Sequence, residues 1–175
     1  MRFRAVALGL CAVALEILAS TSVAAAVPST ATPFAATPIG CVAVYVKAGK
    51  PKVPGEPTEL VLRNYSCGGV HASLGKLLLK AFEHLNYQGS SVDFEVNQGN
   101  TDCDIDGYQW KSMPAGWNDR ISSFRTYGGC QGVRLYEHDN TSGSCGSYFY
   151  DVSYVGDAMN DKTSSFRNSS QSKPC

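Results

Sequence analysis

NDRISSF at 118–124 recurs 42 residues later as NDKTSSF at 160–166. Five of the seven positions are identical, and Arg120 and Lys162 keep the charge at a sixth. Upstream of each copy lies a second match. AFEHLNYQGS (81–90) aligns with LYEHDNTSGS (135–144), which sets Phe82, Glu83, His84, Asn86 and Gly89 in register with Tyr136, Glu137, His138, Asn140 and Gly143. The two anchors come in the same order in both halves, and the first copy carries about a dozen extra residues between them. This is a tandem repeat of about 40–50 residues, and each half is too small to bury a core alone.

The text around these anchors reads as strands. KLLLKAFEH (76–84), SVDFEV (91–96), GYQWKSM (107–113), SSFRTY (122–127), GVRLYEH (132–138), GSYFYDV (146–152) and SSFRN (164–168) are separated by Gly, Asn, Asp and Ser clusters, and short strands at this spacing predict a sandwich or barrel. KLLLKAFEHL has helical propensity, but its repeat partner GVRLYEH is a strand former, so the repeat favours β. Before the repeat, CVAVYVKAG (41–49) and TELVLRNYS (58–66) alternate around a proline-rich loop. They predict an N-terminal hairpin, with Cys41 and Cys67 placed to staple it.

Residues 1–26 have the order of a secretory signal: two arginines, an apolar run, then Ala24-Ala25-Ala26. Its removal takes Cys11 and leaves six cysteines, an even number that suits an exported, disulfide-bonded protein. No C-x-x-C spacing points to zinc. The prolines of 27–40 read as a linker. Residues 81–175 carry seven Lys/Arg and twelve Asp/Glu. That acidity argues against a nucleic-acid surface and suits a hard cation. The expectation is a secreted monomer without a membrane span or nucleic-acid partner.

Phe82-x4-Tyr87-x-Gly89 resembles the aromatic-x4-aromatic-x-Gly signature of the βγ-crystallin superfamily, and NDRISS and NDKTSS resemble its [ND]-[ND]-x-x-[ST]-S calcium motif. The resemblance covers about 76–168 and implies an all-β fold: two Greek-key motifs forming a β-sandwich. The N-terminal hairpin extension (27–75) and a tail (169–175) fall outside it. Two departures stand out. Thr141 replaces the second aromatic of the signature, and Thr163 replaces Ile121, so the two repeats are expected to bind unequally.

Calcium takes six to eight oxygens, and a loop of Asn, Asp and Ser presents several at once. The resemblance implies that each site joins such a loop to the hairpin loop of the other repeat. It thereby groups Asp119 and Ser122 with Glu137, and Asp161 and Ser164 with Glu83. Whether each Glu offers its carboxylate or its carbonyl is left open. DCDIDG (102–107) begins like an EF-hand loop, but position 12 is Met113 and no helix flanks it. No catalytic motif or nucleophile–base pair is evident, so an enzyme is not expected. Three N-x-[ST] sequons begin at Asn64, Asn140 and Asn168. The leading expectation is a secreted protein whose fold calcium stabilises. The competing one is a secreted metalloproteinase inhibitor or a killer-toxin-like antimicrobial protein on the same sandwich. It would act on a protease or cell-surface target, with the tethered insert 97–117 as its reactive loop.

Overall fold

The computed structural model describes residues 37–49, 53–69, 75–97 and 102–175. The expected signal and most of the linker lie outside them. Among the described residues there are nine strands: β1 (Gly40–Lys47), β2 (Thr58–Cys67), β3 (Lys76–His84), β4 (Gln88–Val96), β5 (Tyr108–Trp110), β6 (Ser123–Thr126), β7 (Gly132–His138), β8 (Ser142–Phe149) and β9 (Ser165–Ser169). Each overlaps a segment expected to be a strand, including 76–84, although β8 starts and ends earlier than the expected 146–152. There, alternation around a bulge buries Leu78, Leu79, Ala81 and Phe82 and leaves His84 exposed.

The repeat is visible in the pairing. In the first half β3 pairs with β4 on one side and β6 on the other. In the second half β7 pairs with β8 and β9 in the same way. The fourth strand of each half therefore returns beside the first. The third strand of each half crosses to the other: β5 pairs with β9, and Val152 bridges Phe124 on β6. The exchange lets each half cover the apolar face of its twin. Phe94 meets Phe166 edge-on with ring centroids 4.9 Å apart, and Trp110 stacks on Phe166 at 4.3 Å.

The N-terminal hairpin is part of this sheet. β1 runs parallel to β4 over six residue pairs, and β2 runs parallel to β5 over three. The strand order is accordingly continuous, β6-β3-β4-β1-β2-β5-β9-β7-β8. The alternate residues Cys41, Ala43 and Tyr45 enter the common core, and Tyr45 packs against Phe94 and Trp110.

Among the described residues three disulfides form, Cys41–Cys67, Cys103–Cys130 and Cys145–Cys175. The first joins cross-strand partners of the β1–β2 hairpin. The second ties the insert to the turn between the repeats. The third straps the C-terminal tail along β8, where Ser147 Oγ also donates to the Lys173 carbonyl at 2.6 Å.

Candidate metal centre

Asn86-Tyr87 and Asn140-Thr141 adopt positive φ at the tips of the β3–β4 and β7–β8 hairpins, as do Gly89 and Gly143 two residues further on. Glycine is required there for a second reason. A Cβ on either would lie 2.7 Å from Cδ2 of His84 or His138, whose rings lie over the bend. The missing aromatic at Thr141 is met locally. Arg125 stacks over Tyr87 at 4.2 Å in the first repeat, whereas Arg167 donates to Thr141 Oγ1 at 3.0 Å in the second.

The paired serines divide two tasks. Ser123 Oγ accepts from Tyr87 N and donates to the His84 carbonyl. Ser165 Oγ does the same with Thr141 N and the His138 carbonyl. These second serines lock the folded hairpins. The first serines, also buried, face other oxygens. Ser122 Oγ lies 2.7 Å from the Glu83 carbonyl oxygen and 3.4 Å from Asp161 Oδ1. Ser164 Oγ lies 2.7 Å from the Glu137 carbonyl oxygen and 3.4 Å from Asp119 Oδ1.

The two Asn-Asp loops touch reciprocally. Asp119 N donates to the Thr163 carbonyl and Asp161 N to the Ile121 carbonyl. Both aspartates take positive φ, 56° and 54°, a conformation Asp tolerates better than most side chains. Each carboxylate is also oriented by the residue before it. Asn118 Nδ2 donates to Asp119 Oδ2 and Asn160 Nδ2 to Asp161 Oδ2, both at 2.7 Å. Oδ1 is thereby left facing the serine of the other loop.

The resemblance implies Asp119 and Ser122 with Glu137, and Asp161 and Ser164 with Glu83; in the structure Ser122 lies between the Glu83 carbonyl and Asp161, and Ser164 between the Glu137 carbonyl and Asp119. The cause is local. Ser122 N donates to the Phe82 carbonyl and Ser164 N to the Tyr136 carbonyl, which starts β6 beside β3 and β9 beside β7. Each serine is therefore fixed against the hairpin of its own repeat, and only the aspartate reaches across. The glutamates turn their backbone carbonyls, not their carboxylates, to the serines. Arg120 ion-pairs with the Glu83 carboxylate and holds it below the usual carboxylate range. A hydrogen bond with Ser144 lowers that of Glu137.

Each cradle thus holds a carboxylate oxygen, a hydroxyl and a carbonyl from three chain segments. Around a cation with oxygens at about 2.4 Å, adjacent ligands 70–90° apart stand about 2.8–3.4 Å from one another. The spacings of 2.7 and 3.4 Å are close to this. The donors are all hard oxygens, and among the described residues no three His, Cys, Asp or Glu side chains cluster as a transition metal would want.

The other sequence candidates do different work. Asp104 Oδ1 accepts from the amides of Asp106 and Gly107, Asp106 Oδ2 accepts from Gly55 N, and Asp102 pairs with Lys76. DCDIDG is a turn stitched to its neighbours. Within the insert, Tyr108, Trp110 and Trp117 are buried in the sandwich, whereas Asp102, Ile105 and Ala115 are exposed. Asn168 is 1% exposed, which removes it as a glycosylation acceptor in the folded protein.

Two repeat-related halves that exchange their third strands and share two oxygen-lined cradles define a class of domain. In its motifs and its strand pairing the chain resembles the βγ-crystallin superfamily. Solved structures similar to it include a βγ-crystallin domain from Clostridium beijerinckii, 26% identical, with TM-score 0.41, covering 54% of this chain and 99% of its own. A βγ-crystallin domain from Flavobacterium johnsoniae is 28% identical, with TM-score 0.37 and coverage of 52% and 92%. A βγ-crystallin from an archaeon is 24% identical, with TM-score 0.39 and coverage of 53% and 98%. No protein-family model and no curated protein matches the chain.

Proposed function

We propose that this is a secreted calcium-binding protein whose β-sandwich is stabilised by calcium at two sites. One site comprises Asp161, Ser122 and the Glu83 carbonyl; the other comprises Asp119, Ser164 and the Glu137 carbonyl. The supporting observation is the reciprocal oxygen geometry, in which each aspartate crosses to the serine of the other repeat. A calcium ion supplies charge that draws these three segments together, and backbone carbonyls and water fill the remaining coordination positions. Because each site takes residues from both repeats, binding favours the state in which the halves are docked. Three disulfides suit an extracellular protein, and among the described residues no helix is long and apolar enough to cross a membrane.

The two sites are expected to differ. Arg120 places its guanidinium on Glu83, beside the first cradle, whereas its counterpart Lys162 acts on Glu137 through charge alone. The cradle of Asp119, Ser164 and Glu137 is therefore the tighter. Calorimetric titration with calcium tests the reading, with two sites of unequal affinity as the expected result. No heat and no rise in melting temperature at millimolar calcium would reject it and favour an inhibitor or toxin role.

A further inference from the structure

Among the described residues seven other than glycine have positive φ. Six form repeat-related pairs, Asn86 with Asn140, Tyr87 with Thr141 and Asp119 with Asp161. Tyr150, at φ 67°, has no counterpart, so the symmetry of the fold does not account for it. A bulky residue in this conformation is strained, and such strain collects at binding sites.

Its consequence is visible in the side chains. Successive residues of a strand point to opposite faces. At the end of β8, however, the rings of Phe149 and Tyr150 sit together with centroids 4.1 Å apart, and both are exposed, at 42% and 54%. Beside Tyr150 opens a cleft of about 430 Å³, lined also by Thr126, Tyr127, Gln131 and Asp151. It lies at the opposite end of β6 and β8 from the Asn-Asp loops. Its wall is the turn between the repeats, fixed by Cys103–Cys130 and by Tyr150 N donating to the Gln131 carbonyl. Asp151 Oδ1 accepts from Thr126 N at 2.9 Å. Asp151 and Gln131 are the most polar residues of the lining.

We propose that this cleft binds a saccharide, with one pyranose face on the Tyr150 ring and its hydroxyls on Gln131 and Asp151. The C–H face of a pyranose carries partial positive charge and matches the negative face of an aromatic ring. An amide and a carboxylate together donate to and accept from vicinal hydroxyls. The lining contains no Lys or Arg, so a nucleotide or phosphorylated ligand would lack its counter-charge.

The test titrates the full disulfide-bonded protein with cellotetraose, chitotetraose and mannotriose, followed by calorimetry and by amide chemical shifts. One or more of these is expected to bind and to shift residues 126–131 and 149–151. Tyr150→Gly removes the ring and relieves the strained backbone. It should weaken binding about tenfold or more without lowering the melting temperature or changing calcium affinity. Gln131→Ala should weaken the same ligand. Absence of binding by all three sugars overturns the proposal, as does binding that both variants leave unchanged. Capture of a synthetic peptide of residues 27–39 in place of any sugar also overturns it, because aromatic grooves of this size can take extended proline-rich chains.

Discussion

Exchanging the serines between sites gives a prediction that separates this geometry from the simpler one. Ser122→Ala and Asp161→Ala remove two oxygens that face each other at 3.4 Å, so the double variant should lose one calcium site and keep the other at wild-type affinity. Ser122→Ala with Asp119→Ala removes adjacent residues of one loop but strikes both cradles, and should leave no wild-type site. A hydroxyl facing a charge contributes about 1.5–3 kcal/mol, so Ser122→Ala alone weakens its site at least about tenfold. At calcium about 100 times the dissociation constant an intact site adds about 2.7 kcal/mol, and a tenfold weaker one adds about 1.4 kcal/mol. The folded unit spans Ala36–Cys175, with an unfolding entropy of about 0.3 kcal/mol/K, so the difference lowers the calcium-induced rise in melting temperature by about 4–5 °C. The assay is calorimetric titration and thermal unfolding, with and without calcium, for the single and double variants. One intact site surviving in the Ser122/Asp119 variant, and none in the Ser122/Asp161 variant, would refute the crossed grouping.

The Thr163 hydroxyl is buried without a partner, so Thr163→Val should raise stability in urea by about 1 kcal/mol while leaving two calcium sites in a titration. Glu83 and Glu137 titrate below their ordinary value of 4.5; because the folded value is the lower one, their stabilising contribution is complete above about pH 4.5 and is lost as pH falls through the folded values. Urea midpoints measured from pH 7 to pH 3 should show that loss, and Arg120→Gln should make it shallower by removing the first cause of the Glu83 shift. Cys145–Cys175 closes a loop of sequence separation 30, so replacing both cysteines by serine should cost up to about 3.6 kcal/mol in the chain-entropy view. The same change frees the outer edge of β8, and concentration-dependent association by light scattering should increase.

Much of the fold was legible because the repeat constrains it twice. KLLLKAFEHL is ambiguous alone, but its alignment with GVRLYEH leaves only a strand consistent with both copies. Gly89 and Gly143 recur in register in the sequence, but that their positive φ is covered by a histidine ring is visible only in the structure. What the letters do not carry is partnership across the sandwich. Asp119 and Ser122 stand three residues apart, which suggests a common site. The Ser122 N to Phe82 carbonyl bond instead sends the serine to its own hairpin, while the loop-to-loop bonds carry the aspartate across. The hairpin of β1 and β2 was expected from its alternation. Its insertion was not, because periodicity reports which face is buried and is silent on which edges pair. Likewise, nothing in the composition of GSYFYDV marks Tyr150 as the residue that departs from strand geometry.

The inserted hairpin has a consequence for how copies of this chain meet. Two halves that already lend each other a strand are prone to trade whole halves between molecules, since an open dimer could rebuild every contact of the closed one. Here β1 is hydrogen-bonded to the first half through β4, and β2 to the second through β5. The two are closed on each other by Cys41–Cys67. A swapped pair must either break the β4 or the β5 ladder in each partner or carry the cross-linked hairpin away with one half. The hairpin thereby acts as a latch against entanglement, and it does so with a hairpin that precedes the repeats rather than with a longer or stiffer linker between them.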